Sequence, residues 1–311
     1  MVGAFRFICN PAHLSNDDPI VYPGQPGKAH LHQFFGNTAT NAHSTYESLR
    51  KTGESTCNGP LNRSAYWMPA MMNGKGKVVR PDYVSIYYKR RPMSDPDCDP
   101  AKSATAQGKC VDLPRGLRFV FGFNMATMKY DNDGQWPAKP YFACDGPKST
   151  TRNENTIPEA AAKCATTPDH KLGAVIVAPD CWDGKNLDSP DHRSHVAYAS
   201  YGSWGYLKCP ASHPYVIPTF TMGAWYTVDQ DLPGWHLSSD IMPGMPPMPA
   251  GSSFHADWFG AWDDQVLKAW HDNCLDKRLS CSGADLGNGK QLKMFSGFSW
   301  NASPRVVEQS Q

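Results

Sequence analysis

Five stretches predict strands, each a short apolar run or an alternation of apolar and polar residues rich in β-branched and aromatic side chains. They are DYVSIYYK (82–89), LRFVFGF (117–123), GAVIVAP (173–179), HVAYASY (195–201) and YVIPTFTMGAWYTV (215–228). Helical spacing is clearest in WDDQVLKAWHDNCL (262–275), where Val266, Leu267, Trp270 and Cys274 fall on one face. Asp263 or Asp264 can cap that helix. A shorter helical turn is expected in NAHSTYESLRKTG (41–53), stopped by Gly53. The stretch MPGMPPMPAG (242–251) holds too much proline for regular structure. The pattern predicts a mainly β fold: one β-sandwich or jelly-roll-like domain over residues 1–311, with long disulfide-stapled loops and a C-terminal helix. The 27 prolines and 26 glycines, spread along the chain rather than gathered in a linker, agree with it.

Cysteine usage adds the compartment. The ten cysteines (Cys9, Cys57, Cys98, Cys110, Cys144, Cys164, Cys181, Cys209, Cys274, Cys281) include no Cys-x-x-Cys pair of the kind that binds zinc or cycles redox. An even, dispersed set reads as five disulfides, expected to pair in chain order, with Cys98–Cys110 and Cys274–Cys281 foremost. Disulfides persist outside the reducing cytosol, so a secreted, extracellular protein is expected. Met1 is read as a start residue standing where a signal peptide has been removed. No stretch approaches the roughly 18 apolar residues of a membrane span. Asn62-Arg-Ser and Asn301-Ala-Ser are glycosylation sequons, relevant only in a eukaryotic host.

Charge narrows the partners. Thirty basic residues face 29 acidic ones, for a formal net charge of +1. Neither a nucleic acid nor a membrane is an expected partner on that balance. The sequence carries no signature of an oligomeric state.

Three polar clusters are candidates for chemistry. In KAHLHQFFGN (28–37), His30 and His32 share a face if the segment is a strand, and two neutral imidazoles can begin a metal site. A first-row metal asks for three or more ligands, so the plain alternative is one packed and one solvated histidine. In CWDGKNLDSPDHRSHVAY (181–198), His192 belongs to the loop and His195 to the strand start, with Tyr198 expected on the opposite side. His195 can move a proton or complete a metal set with His30 and His32. Asp183, Asn186, Asp188 and Asp191 can instead form Asx-turns that merely shape the loop. In SSFHADWFGAWDD (252–264), Asp257 beside His255 can fix its tautomer, or both can ligate; the plain alternative has Asp257 capping backbone amides. His213, between two prolines' neighbourhoods in CPASHPYVIP, reads as structural. Tyr66, Trp67, Tyr87, Tyr88, Trp182, Trp204, Trp225 and Trp235 lie in polar contexts suited to stacking on sugar rings, although most such rings are core.

These stretches resemble the DUF1996 domain family of secreted fungal and bacterial proteins. The matching pieces are DDPIVYPGQPGKAHLHQFFGN (17–37), SAYWMPAM (64–71), LPRGLRFVFG (113–122), CWDGKNLDSPDHRSHVAY (181–198), CPASHPYVIP (209–218) and FHADWFGAWDDQVLKAW (254–270), in order along nearly the whole chain. The resemblance implies extracellular location, a glycan context, and candidate status for His30, His32, Tyr66, Trp67, Arg118, Asp183, Asn186, His195, His255 and Asp257. Two departures stand out. The family's Gly-Asp-Pro-Thr-Gly-like turn is replaced here by the longer SSDIMPGMPPMPAGSS, and its Asn-Gly-Trp-Asp appears as Gly260-Ala261-Trp262-Asp263.

The leading expectation is a carbohydrate-active enzyme that cleaves a polysaccharide as a lyase (β-elimination) or a hydrolase, within a His-rich cleft. His195, Tyr198, His255 and Asp257 are the catalytic candidates. Tyr66, Trp67, Arg118, Asp183, Asn186 and His192 are candidates for holding substrate, and His30 and His32 for a divalent metal, zinc or calcium. The histidine inventory leans towards elimination or metal-assisted chemistry. A non-catalytic glycan- or wall-binding protein with a structural metal is the alternative. A metal-dependent nuclease or phosphoesterase ranks third, since the charge balance offers no phosphate-tracking surface.

Overall fold

A computed structural model describes residues 1–147, 153–203, 205–294 and 305–309. Trp204 and the Asn301 sequon lie outside them. The alternation in Tyr83–Arg90 becomes an alternation of burial: Val84, Ile86 and Tyr88 point inwards, while Tyr83, Ser85, Tyr87 and Lys89 are only partly covered. Thr219–Thr227 behaves likewise, with Phe220, Met222, Ala224 and Tyr226 inside. These two strands pair antiparallel at the centre of a six-stranded sheet. Its order is Tyr141–Asp145, Lys171–Val177, Thr219–Thr227, Tyr83–Arg90, Gly3–Cys9 and Ser280–Cys281, antiparallel except at the last pair.

A second six-stranded sheet runs Lys129–Tyr130, Arg118–Asn124, His255–Phe259, Ala65–Pro69, His32–Gly36 and Pro11–Ser15, antiparallel throughout. The sheets pack face to face as a β-sandwich, around Phe5, Phe7, Tyr66, Phe119, Phe121, Phe220 and Trp258 among others. Each aliphatic or Phe side chain so buried contributes about 1.5–3 kcal/mol. The outer face of the second sheet is covered as well, by a smaller cluster of Ile20, Phe34, Leu49, Trp67, Val120 and Phe259. Strands 32–36, 65–69 and 255–259 are therefore buried on both sides at every residue. Their sequences show no alternation for that reason, and the periodicity did not mark them as strands.

The expected helices are present. Asp264–Trp270 is capped by Asp263, whose carboxylate accepts from the amides of Gln265 and Val266. Trp270 stacks on Phe5 at 5.0 Å. Tyr46–Lys51 forms the shorter helix behind Thr45, with a capping box to Ser48. Two predicted strands are each divided. Pro218 has no N–H for the ladder, so 215–228 splits into Tyr215–Val216 and Thr219–Thr227. Residues 195–201 split into Val196–Ala197 and Ser200–Tyr201, because Tyr198 turns in to donate to Val177 O at 2.7 Å. The segment 242–251 is loop, as its prolines require.

All five disulfides join neighbours in chain order: Cys9–Cys57, Cys98–Cys110, Cys144–Cys164, Cys181–Cys209 and Cys274–Cys281. Cys181–Cys209 closes the loop that carries His192, Arg193 and His195. No helix among the described residues is long and apolar enough to cross a membrane.

Candidate metal centre

His255 and Asp257 leave one face of strand 255–259, two residues apart. His32 begins strand 32–36, and His30 stands two residues ahead of it. Strand 65–69, which lies between them, brings the two pairs together: His32 pairs with Pro69, and Trp67 of that strand pairs with Asp257. The His30 ring is 4.1 Å from the His32 ring and 5.1 Å from the His255 ring, centre to centre. Gly122 lies opposite His255 in the ladder with φ at +94°. A Cβ there would come within 2.6 Å of the Ile176 side chain and 2.9 Å of Phe254 O, so only glycine lets the strand pass.

The tautomers follow from the partners of Nδ1. His255 Nδ1 donates to Ser253 O at 2.8 Å, and His32 Nδ1 to Asp17 O at 3.0 Å. His30 Nδ1 lies 3.1 Å from Ser238 Oγ. The Ser238 hydroxyl spends its own proton on Leu31 O at 2.5 Å, so it accepts from His30. With each Nδ1 protonated, each neutral ring keeps its lone pair on Nε2. Burial holds the rings neutral. It lowers His32 to about 3, helped by His255, and puts His30 and His255 well below the usual histidine value, each further depressed by a neighbouring imidazole. The Nε2 atoms of His30 and His255 face one another at 3.1 Å, and His32 Nε2 is buried without a hydrogen-bond partner.

Two carboxyl groups adjoin these nitrogens. Asp257 is 1% exposed, and neither of its oxygens has a hydrogen-bond partner. Burial, then the charge of Asp18, drives it well above the ordinary carboxylate range. Asp18 is raised to about 6 by burial, against the pull of the Val21 and Ile20 amides and Trp67 Nε1. Ligand atoms of His30, His32 and His255 lie within 4.8 Å of one another, as do those of Asp18, His32 and Asp257.

This donor set fits a divalent transition ion. Two nitrogens bound at about 2.0–2.1 Å to a tetrahedral zinc ion lie about 3.3 Å apart, close to the spacing of His30 and His255. A cation would meet lone pairs that otherwise face each other, and would supply the counter-charge Asp257 lacks. Calcium fits poorly, because it takes six to eight oxygens. The Nδ1–H bonds to Ser253, Asp17 and Ser238 are the kind of outer contacts that aim metal-binding imidazoles.

The centre forms the floor of a cavity of about 410 Å³. Tyr22, Lys28, His192, Arg193, Met242 and Met245 also line it. Arg193 is fixed by both oxygens of Asp131 at 2.8 and 2.9 Å, whereas Lys28 is exposed, resting over the Tyr22 ring at 5.0 Å. His192 adopts φ of +58° and bonds Asp188 Oδ1 at 2.9 Å, while its carbonyl accepts from Val120 N and ties the loop to the sheet.

The structure thus gathers His30, His32, His192, His255 and Asp257 at one cavity and sends the other candidates elsewhere. His195 does not line it: its ring is 1% exposed, with Nδ1 on Ser189 Oγ and Nε2 on Arg118 O, both at 2.8 Å. No ring nitrogen remains for a proton transfer or a metal. The Tyr198 hydroxyl is likewise occupied by Val177 O. Tyr66 and Trp67 are wholly buried and closed to any sugar. Tyr66 enters the sandwich core, its hydroxyl 2.9 Å from that of Tyr88. Trp67, on the other face, stacks on Phe34 at 5.3 Å and reaches towards Asp18 Oδ2 at 3.4 Å. Arg118 pairs with Asp188 at 2.9 Å and lies over Phe259. Asp183 accepts from the amides of Lys185 and Asn186, and from the Asn186 side chain, which is the Asx-turn reading. His213 bonds Ser194 O and Ser212 Oγ, a structural role as expected. Asp257 neither caps amides nor orients His255; Ser253 O does the latter. Sequence reasoning passed over Asp18 and Ser238. Asp18 stood inside the stretch that carries the family resemblance, but nothing local marks it as facing a histidine.

A family model described as a domain of unknown function, DUF1996, matches residues 18–262. The chain belongs to the DUF1996 family. No curated protein and no solved structure matches it. All five site residues, Asp18, His30, His32, His255 and Asp257, fall within the DUF1996 span.

Proposed function

We propose that this DUF1996 protein is a secreted, metal-dependent enzyme that cleaves a polysaccharide at the His30–His32–His255 centre. The observation behind the reading is the convergence of three Nε2 lone pairs and an unpaired carboxyl on the floor of a solvent-reachable cavity. Five disulfides support an extracellular setting. Between the two reactions, the placement of the acids favours metal-assisted elimination. A two-carboxylate glycosidase needs its acids about 5–9.5 Å apart across the scissile bond. Asp183 is on a solvated turn away from the cavity, and Asp18 and Asp257 have oxygens within 4.8 Å of each other, beside His32. For a uronate polymer, a base removes the C5 proton, the C4–O bond breaks, and the leaving oxygen is protonated. A cation held by His30, His32 and His255 would neutralise the uronate carboxylate. Lys28, which lines the cavity and whose Nζ donates to the neutral Gln25 Oε1 at 2.7 Å, is placed to hold a second anionic group.

Incubation of the zinc-loaded protein with acidic and neutral polysaccharides, followed by product mass, tests this. Products without added water and with the ultraviolet absorbance of an unsaturated uronate mark elimination, and products with added water mark hydrolysis. No product from any glycan, together with a metal-dependent melting point, leaves the binding protein with a structural metal.

A further inference from the structure

A larger groove, of about 570 Å³, shares no lining residue with the metal cavity. Among the described residues only two aromatic side chains are exposed, Trp136 at 69% and Tyr201 at 63%, and both open onto this groove. Two rings left in water forgo burial that the other aromatics obtain, and apolar surface kept exposed at a groove marks a binding site. Besides the two rings, the groove is lined by aliphatic side chains, among them Val177, Leu207, Val216 and Ile217, and by hydrogen-bonding groups. Thr219 and Thr221, two apart on one strand, share the face opposite to the buried Phe220 and Met222. Gln107 and Asp180 lie beside them, joined at 2.6 Å.

We infer that this groove is a second glycan-binding site, holding a stretch of polysaccharide away from the metal centre. The combination of exposed rings with hydrogen-bonding groups selects the ligand. A pyranose offers an apolar C–H face to a ring and hydroxyls at its edge to threonine, amide and carboxylate groups. A docking protein would want one contiguous apolar patch, and this lining carries hydrogen-bonding groups, Gln107, Asp180, Thr219 and Thr221, as well as apolar ones. The volume falls in the range of small-ligand sites, about 300–1,000 Å³. The inference rests on the polysaccharide part of the reading above and is independent of the metal.

Retention on insoluble β-glucan, cellulose, xylan and chitin tests it, with wild type and the double variant Trp136→Ala/Tyr201→Ala compared by depletion from the supernatant and by product formation. The wild type is expected to bind at least one of the four. The double variant should bind that polymer about tenfold more weakly or worse, with an unchanged melting curve, since both rings are exposed. Equal retention of wild type and double variant overturns the inference, as does a wild type that binds none of the four. Lost retention in the double variant with no product from any polymer keeps the groove and removes the cleavage reading. Product formation with retention unaltered in the double variant does the reverse.

Discussion

Nε2 of His30 and Nε2 of His255 lie 3.1 Å apart across 225 positions of sequence, and the Nδ1 of each is committed to an oxygen that accepts its hydrogen. Two lone pairs at that distance repel, so the contact is favourable only with a proton or a cation between them. The protein, freed of metal by chelation, should therefore bind zinc in a calorimetric titration. His255→Ala should lose at least about tenfold in affinity. Ser238→Ala, which removes only the hydroxyl behind His30, should lose about 10–100-fold. Zinc at about 100 times its dissociation constant should add about 2.7 kcal/mol of stability. Wild-type affinity in His255→Ala would falsify the centre.

His32 sets an acid limit on the metal-free protein. Its folded value, about 3, lies below the ordinary 6.5 because of burial. Below pH 6.5 the unfolded chain takes up a proton that the folded ring refuses, so stability falls as pH drops towards 3, by up to about 1.4 kcal/mol per unit. Asp18, raised to about 6, works the other way, costing stability as pH rises from 3.8 to 6. Urea unfolding of wild type and His32→Gln at several pH values isolates the histidine. Their stability difference should shift against the wild type with acidity, and a pH-independent difference counts against a neutral His32.

The buried aromatics should behave as structure. Tyr66→Phe removes a hydroxyl bonded to Tyr88 and Asn62, and should cost about 1 kcal/mol while leaving kcat/KM unaltered. Trp67→Ala empties a core position and should cost about 3–5 kcal/mol. A raised KM for polysaccharide in a fully folded Tyr66→Phe protein would place that side chain at substrate after all.

His192 and His195 separate cleanly in the same way. His195→Ala breaks the bond that pins the loop to Arg118 O of strand 118–124 and a second bond inside the loop, to Ser189 Oγ, and should lower stability by about 1–3 kcal/mol with zinc affinity preserved. His192→Ala alters the cavity wall, so its effect belongs in kcat/KM. Melting curves and zinc titrations of both variants check the assignment, and a loss of zinc affinity in His195→Ala is the contrary result.

Much of the sandwich was legible. Residues 83–90 and 219–227 each have one inner face, and their alternation reports it. Strands 65–69 and 255–259 are buried on both faces, so a period of two never appears in them. His-x-His at 30 and 32 was readable as half of a metal site, since two residues apart in extended chain share a side. The other half was not. Whether His255 or His195 completes the set depends on which strands are neighbours, and no local pattern encodes that.

Sequence alone determined a mainly β chain, two helical segments with an aspartate cap for the second, an even and dispersed set of ten cysteines, and a pair of histidines on one side of an extended segment. These depend on periodicity, turn chemistry and spacing, all of which act over a few residues. The tertiary structure decided that His255 and Asp257 join that pair while His195 turns away to a carbonyl, and that Tyr66 and Trp67 are sealed while Trp136 and Tyr201 face water. Burial and the partners of a ring nitrogen are set by chain segments far away in sequence, and only folding brings those segments into contact.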